Sequence, residues 1–152
     1  MTSCIIEIKK GNTQVARVFF TADGYPSGVP YDIAKEFKNH KIVNGLTFRK
    51  LECNGIEDFA VQMIASQKSP DAAFVKTLKT VVESIGGEWD NSSVKAGGVY
   101  LVPLDEHWNC NYKYTIEEKD GELRLSTEGF SGTLKQYAKA IRKKRFGKEV
   151  SN

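Results

Sequence analysis

The sequence predicts an α+β domain in which about four helices pack on an antiparallel sheet. Three observations lead there. Apolar, β-branched runs come in pairs joined by short turns, rather than alternating strand with helix. Four other stretches carry apolar residues at helical spacing. The 152 residues, 40% hydrophobic and 27% charged, have the size and composition of one globular domain, taken here as 1–152.

The elements follow in order. SCIIEIK (3–9) suits a strand, Lys10-Gly11-Asn12 a turn, and TQVARVFF (13–20) a second strand, which together make an N-terminal hairpin. Pro30 can occupy the first turn of a helix running to about Asn39, with Ile33, Ala34 and Phe37 on one face. LTFRKL (46–51) reads as a short strand. From Ile56 to about Gln67, Ile56, Phe59, Ala60, Met63 and Ile64 recur at helical spacing, and Glu57 and Asp58 lie near the positive end of that helix. Ser69-Pro70-Asp71 interrupts the chain, and a further helix through Phe74, Leu78, Val81, Val82 and Ile85 stops at Gly86-Gly87. The polar stretch 88–98 reads as a surface loop. Three strands then follow, in GVYLVPL, NYKYTIEE and ELRLS, the last two joined through Lys119-Asp120-Gly121, a strong hairpin signal. A basic C-terminal helix, about 133–146, buries Leu134, Tyr137, Ala138 and Ile141 and leaves a short tail.

Composition narrows the function. Cys4, Cys53 and Cys110 form no CxxC pair and fit reduced thiols better than a disulfide framework. His107 and Cys110 lack a second ligand pair, so neither a metal site nor a cofactor is expected. No run is long enough to span a membrane, and MTSCIIEIKKG is too short and too charged for a signal peptide, so a cytoplasmic protein is expected. The net charge of +3 is local: Lys135, Lys139, Arg142, Lys143, Lys144, Arg145 and Lys148 carry seven positive charges without an acid, leaving the rest of the chain at −4.

The stretch FFTADGYPSGVPYDIAKEF (19–37) offers the best candidate site. A loop entering a helix start presents backbone N–H groups and a positive dipole end, which suit an anion. Gly24 and Gly28 allow sharp turns and close approach, Pro26 and Pro30 stiffen the loop, Tyr25 could stack on a base, and Asp23 could accept from a sugar hydroxyl. The same residues also read as a plain turn-forming corner. Neither a GKS/GKT phosphate loop nor a GxGxxG fingerprint is present.

Asp23-Gly24-Tyr25-Pro26, just after an N-terminal hairpin, resembles the DGYP signature of small proteins encoded by bacteriophages and prophages. Gly28 matches a glycine that follows the motif in that group, and Tyr112-Lys113-Tyr114-Thr115-Ile116 resembles a later strand pattern. The similarity covers roughly 3–37 and, more loosely, 97–127. Thr21 and Ala22 stand where His and Trp are common, so no histidine chemistry carries over. The resemblance implies a phage-type accessory protein in a bacterial host, acting against host defence by binding a signalling nucleotide or a host protein, without catalysis.

The expected function is therefore binding of a small anionic ligand, a nucleotide above all, by Asp23, Gly24, Tyr25 and Gly28. Arg17, Lys113 and Arg124 serve as candidate cations, and Trp108 or Tyr112 as a stacking surface. One rival is a protein-interaction inhibitor using Lys139, Arg142, Lys143 and Arg145, or the 88–98 loop, against a host macromolecule. Another is a phosphodiester hydrolase centred on His107 with Asp105 or Glu106. Direct nucleic-acid binding stands behind these, since the familiar recognition motifs are missing. No membrane partner is expected, and self-association is left open.

Overall fold

Alternation of apolar and polar residues builds the first hairpin. In the computed structural model, which describes residues 2–68, 72–88 and 98–146, β1 (Cys4–Lys10) and β2 (Thr13–Phe20) pair antiparallel. Pro30 lies in the first turn of α1 (Val29–Phe37), where its missing N–H costs nothing. The helix buries Tyr31, Ile33, Ala34 and Phe37. β3 (Lys41–Val43) and β4 (Glu52–Asn54) then form a small parallel pair, followed by α2 (Gly55–Lys68) and α3 (Ala72–Ser84). β5 (Val99–Leu101), β6 (Tyr112–Lys119), β7 (Glu122–Thr127), β8 (Phe130–Thr133) and α4 (Leu134–Phe146) complete the order.

Six strands make one sheet in the order β5-β2-β1-β6-β7-β8. It is antiparallel at every pairing but one, as an α+β domain built from hairpins should be. The exception is central: β1 and β6 run parallel, from Cys4 opposite Tyr112 to Lys9 opposite Glu117. Because the two hairpins meet side by side rather than through a turn, no local signal sets their direction.

Side chains on one face of the sheet form the core. Cys4, Ile6, Ile8, Val18, Phe20, Tyr114, Ile116, Leu123 and Leu125 pack with Ile33, Phe37, Phe59, Met63, Leu134, Tyr137 and Ile141 from the helices. Each fully buried aliphatic or aromatic group contributes about 1.5–3 kcal/mol by leaving water. The opposite face carries Glu7, Arg17, Lys113, Thr115, Glu117, Arg124 and Ser126, a polar surface with Ile5 and Phe19 at one end.

Two local expectations need correcting. LTFRKL (46–51) is not a strand: the short strands lie on either side of it, and 44–51 is the loop between them. Its alternating residues have no neighbouring strand to pair with, so β-propensity alone decides nothing. β8, unexpected from sequence, pairs antiparallel with β7 after a turn at Glu128-Gly129. Ser69-Pro70-Asp71, most of the 88–98 loop and Lys148 lie outside the described residues. No helix among those described is long and apolar enough to cross a membrane.

Candidate functional site

The glycine-proline loop is a tightly tied corner. Gly24 donates to Thr2 O (2.9 Å), Gly28 to Tyr25 O (2.8 Å) and Val29 to Asp23 O (2.7 Å). Pro30 has no N–H, and the Gly28, Val29 and Asp32 amides donate within the fold, which removes most of the donors that an anion would have met at the start of α1. Both glycines are required sterically. A Cβ on Gly24 would stand 2.6 Å from Cys4 N, and one on Gly28 would fall onto the Asp23 carbonyl oxygen. Asp23 takes the left-handed backbone conformation (φ 58°), which aspartate tolerates better than most residues.

Two buried tyrosines clamp this corner from the core. The Tyr114 hydroxyl donates to Gly24 O (2.9 Å) and the Tyr137 hydroxyl to Pro26 O (2.7 Å). Burial pushes both hydroxyls above the usual phenol range, so they remain donors. What the loop offers to solvent is the Asp23 carboxylate and the Tyr25 ring, the latter 41% exposed. Tyr112, 40% exposed, stacks on Tyr114 with ring centroids 6.2 Å apart and so lies on this same side of the sheet.

Arg17, Trp108 and Arg124 lie on the other side. Arg17 is 5% exposed; its Nη1 donates to Pro103 O (3.2 Å) and to Glu106 O, and its Nε faces Glu7 at 3.7 Å. This guanidinium fixes the loop after β5 and presents no free charge to a ligand. Trp108 packs edge-on against Phe19 (5.4 Å) and donates from Nε1 to Glu106 (3.0 Å). Lys113 reaches Glu7 at 3.8 Å, and Arg124 stands opposite Glu117. The expected ligand residues thus form two groups separated by the sheet: Asp23, Gly24, Tyr25, Gly28 and Tyr112 against Arg17, Trp108 and Arg124.

A cleft of about 510 Å³ opens elsewhere, between the end of α1, β3, the β6–β7 turn and the start of α4. That volume falls in the range of small-molecule sites. Lys38, His40 and Lys41 line it from one side, Lys135 from another, and Asp120 and Glu122 from the turn. Its walls are locally well specified. Asp120 (φ 55°) and Gly121 (φ 79°) form the two-residue turn that Asp-Gly favours, and Ile42 N donates to Gly121 O (3.1 Å). Thr133 and Gln136 form a reciprocal capping box, Gln136 N to Thr133 Oγ1 (3.1 Å) and Thr133 N to Gln136 Oε1 (2.9 Å), so the positive end of α4 is fixed beside the cleft.

His40, just after α1, has a largely apolar environment. Its ring packs on Phe37 (4.6 Å), its Nδ1 is buried without a hydrogen bond among the described residues, and burial lowers its pKa against the opposing pull of Glu36. Sequence reasoning did not single out Lys38, Lys41, Asp120, Glu122 or Lys135 as a set. The Thr-x-x-Gln box and the acid-free run from Lys38 to Lys50 were the available signals.

The remaining candidates are quickly placed. Asp105 and His107 are exposed, and Glu106 is the one tied to Trp108. No group of three or more His, Cys, Asp and Glu among the described residues is placed to hold a metal ion. Burial pushes the Cys4 thiol up to about 12, with Cys110 adding to the effect, and the Cys53 thiol up to about 11, so neither is a ready nucleophile. On α4, Lys139, Arg142 and Lys143 are exposed while Leu134, Tyr137, Ala138 and Ile141 are buried; the Arg145 side chain lies outside what is described. Comparison of the chain with protein-family models, with curated proteins and with solved structures found no match.

Proposed function

We propose that this chain is a non-catalytic binding protein for a small anionic ligand of the nucleotide class. One observation carries the reading: cations from three separate parts of the fold, Lys38 after α1, Lys41 on β3 and Lys135 on α4, line one cleft. A lysine is a compact charge suited to phosphate, and several around a concave surface reinforce one another's field. Asp120 and Glu122 on the same cleft supply acceptors that suit the hydroxyls of a sugar better than a second phosphate. The positive end of α4 adds to the same field. The resemblance around Asp23–Pro26 sets this reading in a phage-type accessory role, where holding a host's signalling nucleotide would deny it to the host's defence.

Thermal denaturation of the pure chain with EDTA, against mono-, di-, cyclic and oligonucleotides, tests the reading. A ligand at 100 times its Kd should stabilise the fold by roughly 2.7 kcal/mol, a shift of several degrees. Lys41→Glu and Lys135→Glu should each abolish the shift, and the bound ligand should be recovered unchanged after denaturation. A flat panel would overturn the proposal. Loss of the shift in Tyr25→Ala, with Lys41→Glu and Lys135→Glu still responding, would move the site to the glycine-proline loop.

A further inference from the structure

We infer that the loop between β3 and β4 is an interfacial anchor for an anionic lipid surface, a segment that lies on a membrane without crossing it. Leu46 is 82% exposed, Phe48 93% and Leu51 49%. An apolar side chain in water is unfavourable in proportion to its area, and these three stand within six residues.

The loop is built to hold them outward. Gly45 N donates to Asn54 Oδ1 (2.9 Å), Thr47 Oγ1 to Glu52 (2.6 Å), Arg49 N to Thr47 Oγ1 (3.2 Å) and Lys41 N to Leu51 O (3.0 Å). Polar groups therefore stitch the base of the loop together while Leu46 and Phe48 remain in solvent. Thr47 is the one partly buried residue between Asn44 and Leu51.

Charge selects the partner. Between Glu36 and Glu52 there is no acid, while Lys38, Lys41, Arg49 and Lys50 are all present and exposed. Arg49 lies 3.6 Å from Glu52 but is 83% exposed, so its charge still faces outward. An apolar tip flanked by exposed cations matches the two layers of an anionic membrane: acyl chain for the tip, headgroup phosphate for the lysines and arginine. Exposed cations beside apolar side chains favour that layered surface over an apolar protein pocket.

The inference stands independently of the cleft reading, although Lys38 and Lys41 serve both. Co-sedimentation of the full chain with phosphatidylcholine vesicles containing about a third phosphatidylserine provides the test. The native chain should pellet with these vesicles at low salt, be released as salt rises, and stay in solution with pure phosphatidylcholine. A Leu46→Ser, Phe48→Ser double variant should lose at least about tenfold in bound fraction while keeping its denaturation midpoint and any nucleotide-induced thermal shift. Phe48→Trp should blue-shift its fluorescence with the anionic vesicles relative to the native chain. No pelleting by the native chain would overturn the inference and leave a protein pocket as the partner of Phe48. Equal pelleting by the double variant would also overturn it, assigning the binding to cations such as Arg142 and Lys143.

Discussion

Two loops, one before α1 and one between β3 and β4, treat their residues in opposite ways. The one before α1, Thr21–Gly28, turns inward: its Thr21, Gly24 and Gly28 amides are engaged, two buried tyrosine hydroxyls hold the Gly24 and Pro26 carbonyls, and its glycines admit neighbouring backbone. The loop at 44–51, beyond the far end of the helix, turns outward and leaves Leu46 and Phe48 in water. Glycines and prolines in the first mark a corner of the fold. In the second, plain strand-like residues mark a surface for contact. Unusual composition therefore signals architecture here, and ordinary composition in an unusual place signals interaction.

Substitutions in the inward loop should have the largest effect. Gly28→Ala forces a Cβ onto the Asp23 carbonyl and should cost at least about 2 kcal/mol, read as a lower urea midpoint. An unchanged midpoint would break the contrast, because the loop would then be yielding. Tyr114→Phe removes a buried donor from Gly24 O and should cost about 1–2 kcal/mol. Tyr137→Phe, at a less buried bond, should cost about 1 kcal/mol.

At the other end of the helix, pH sharpens the comparison. Burial lowers the His40 pKa from 6.5, so the unfolded chain binds a proton more readily than the folded one. His40 then weighs against folding as pH falls below about 6.5, and its effect is absent above that range. The urea midpoint should decline across that window in the native chain and decline less in His40→Gln. An anion in the cleft would favour imidazolium, so affinity should rise over the same descent. The smallest effect belongs to the tip: Phe48→Ser should alter stability by less than about 0.5 kcal/mol, since the ring has little folded contact to lose.

Legibility in the sequence followed the range of the interactions. Hairpin β6–β7 was readable because Asp120-Gly121 carries its turn chemistry in adjacent residues. The apolar stripe Leu134, Tyr137, Ala138, Ile141 likewise marked the buried face of α4. The role of Gly24 and Gly28 was half readable. Close approach was evident, but not that the approaching groups are Cys4 and Asp23 rather than a ligand. The cleft was hidden because Lys41, Asp120 and Lys135 are distant in sequence and meet through β3, the β6–β7 turn and α4. Alternation in LTFRKL misled because a strand needs a neighbour, and none is adjacent to it.

The parallel contact of β1 with β6 carries a consequence for how the molecule assembles. Residues 4–9 complete their hydrogen bonding with residues 112–117, so the middle of the sheet cannot close until most of the chain has been made. Contacts of such long sequence separation slow folding, because the chain between them must first be gathered. The N-terminal hairpin meanwhile exposes Ile6 and Ile8 along an unpaired strand edge. During synthesis that edge is the part most open to wrong partners, and the arrival of β6 removes the hazard.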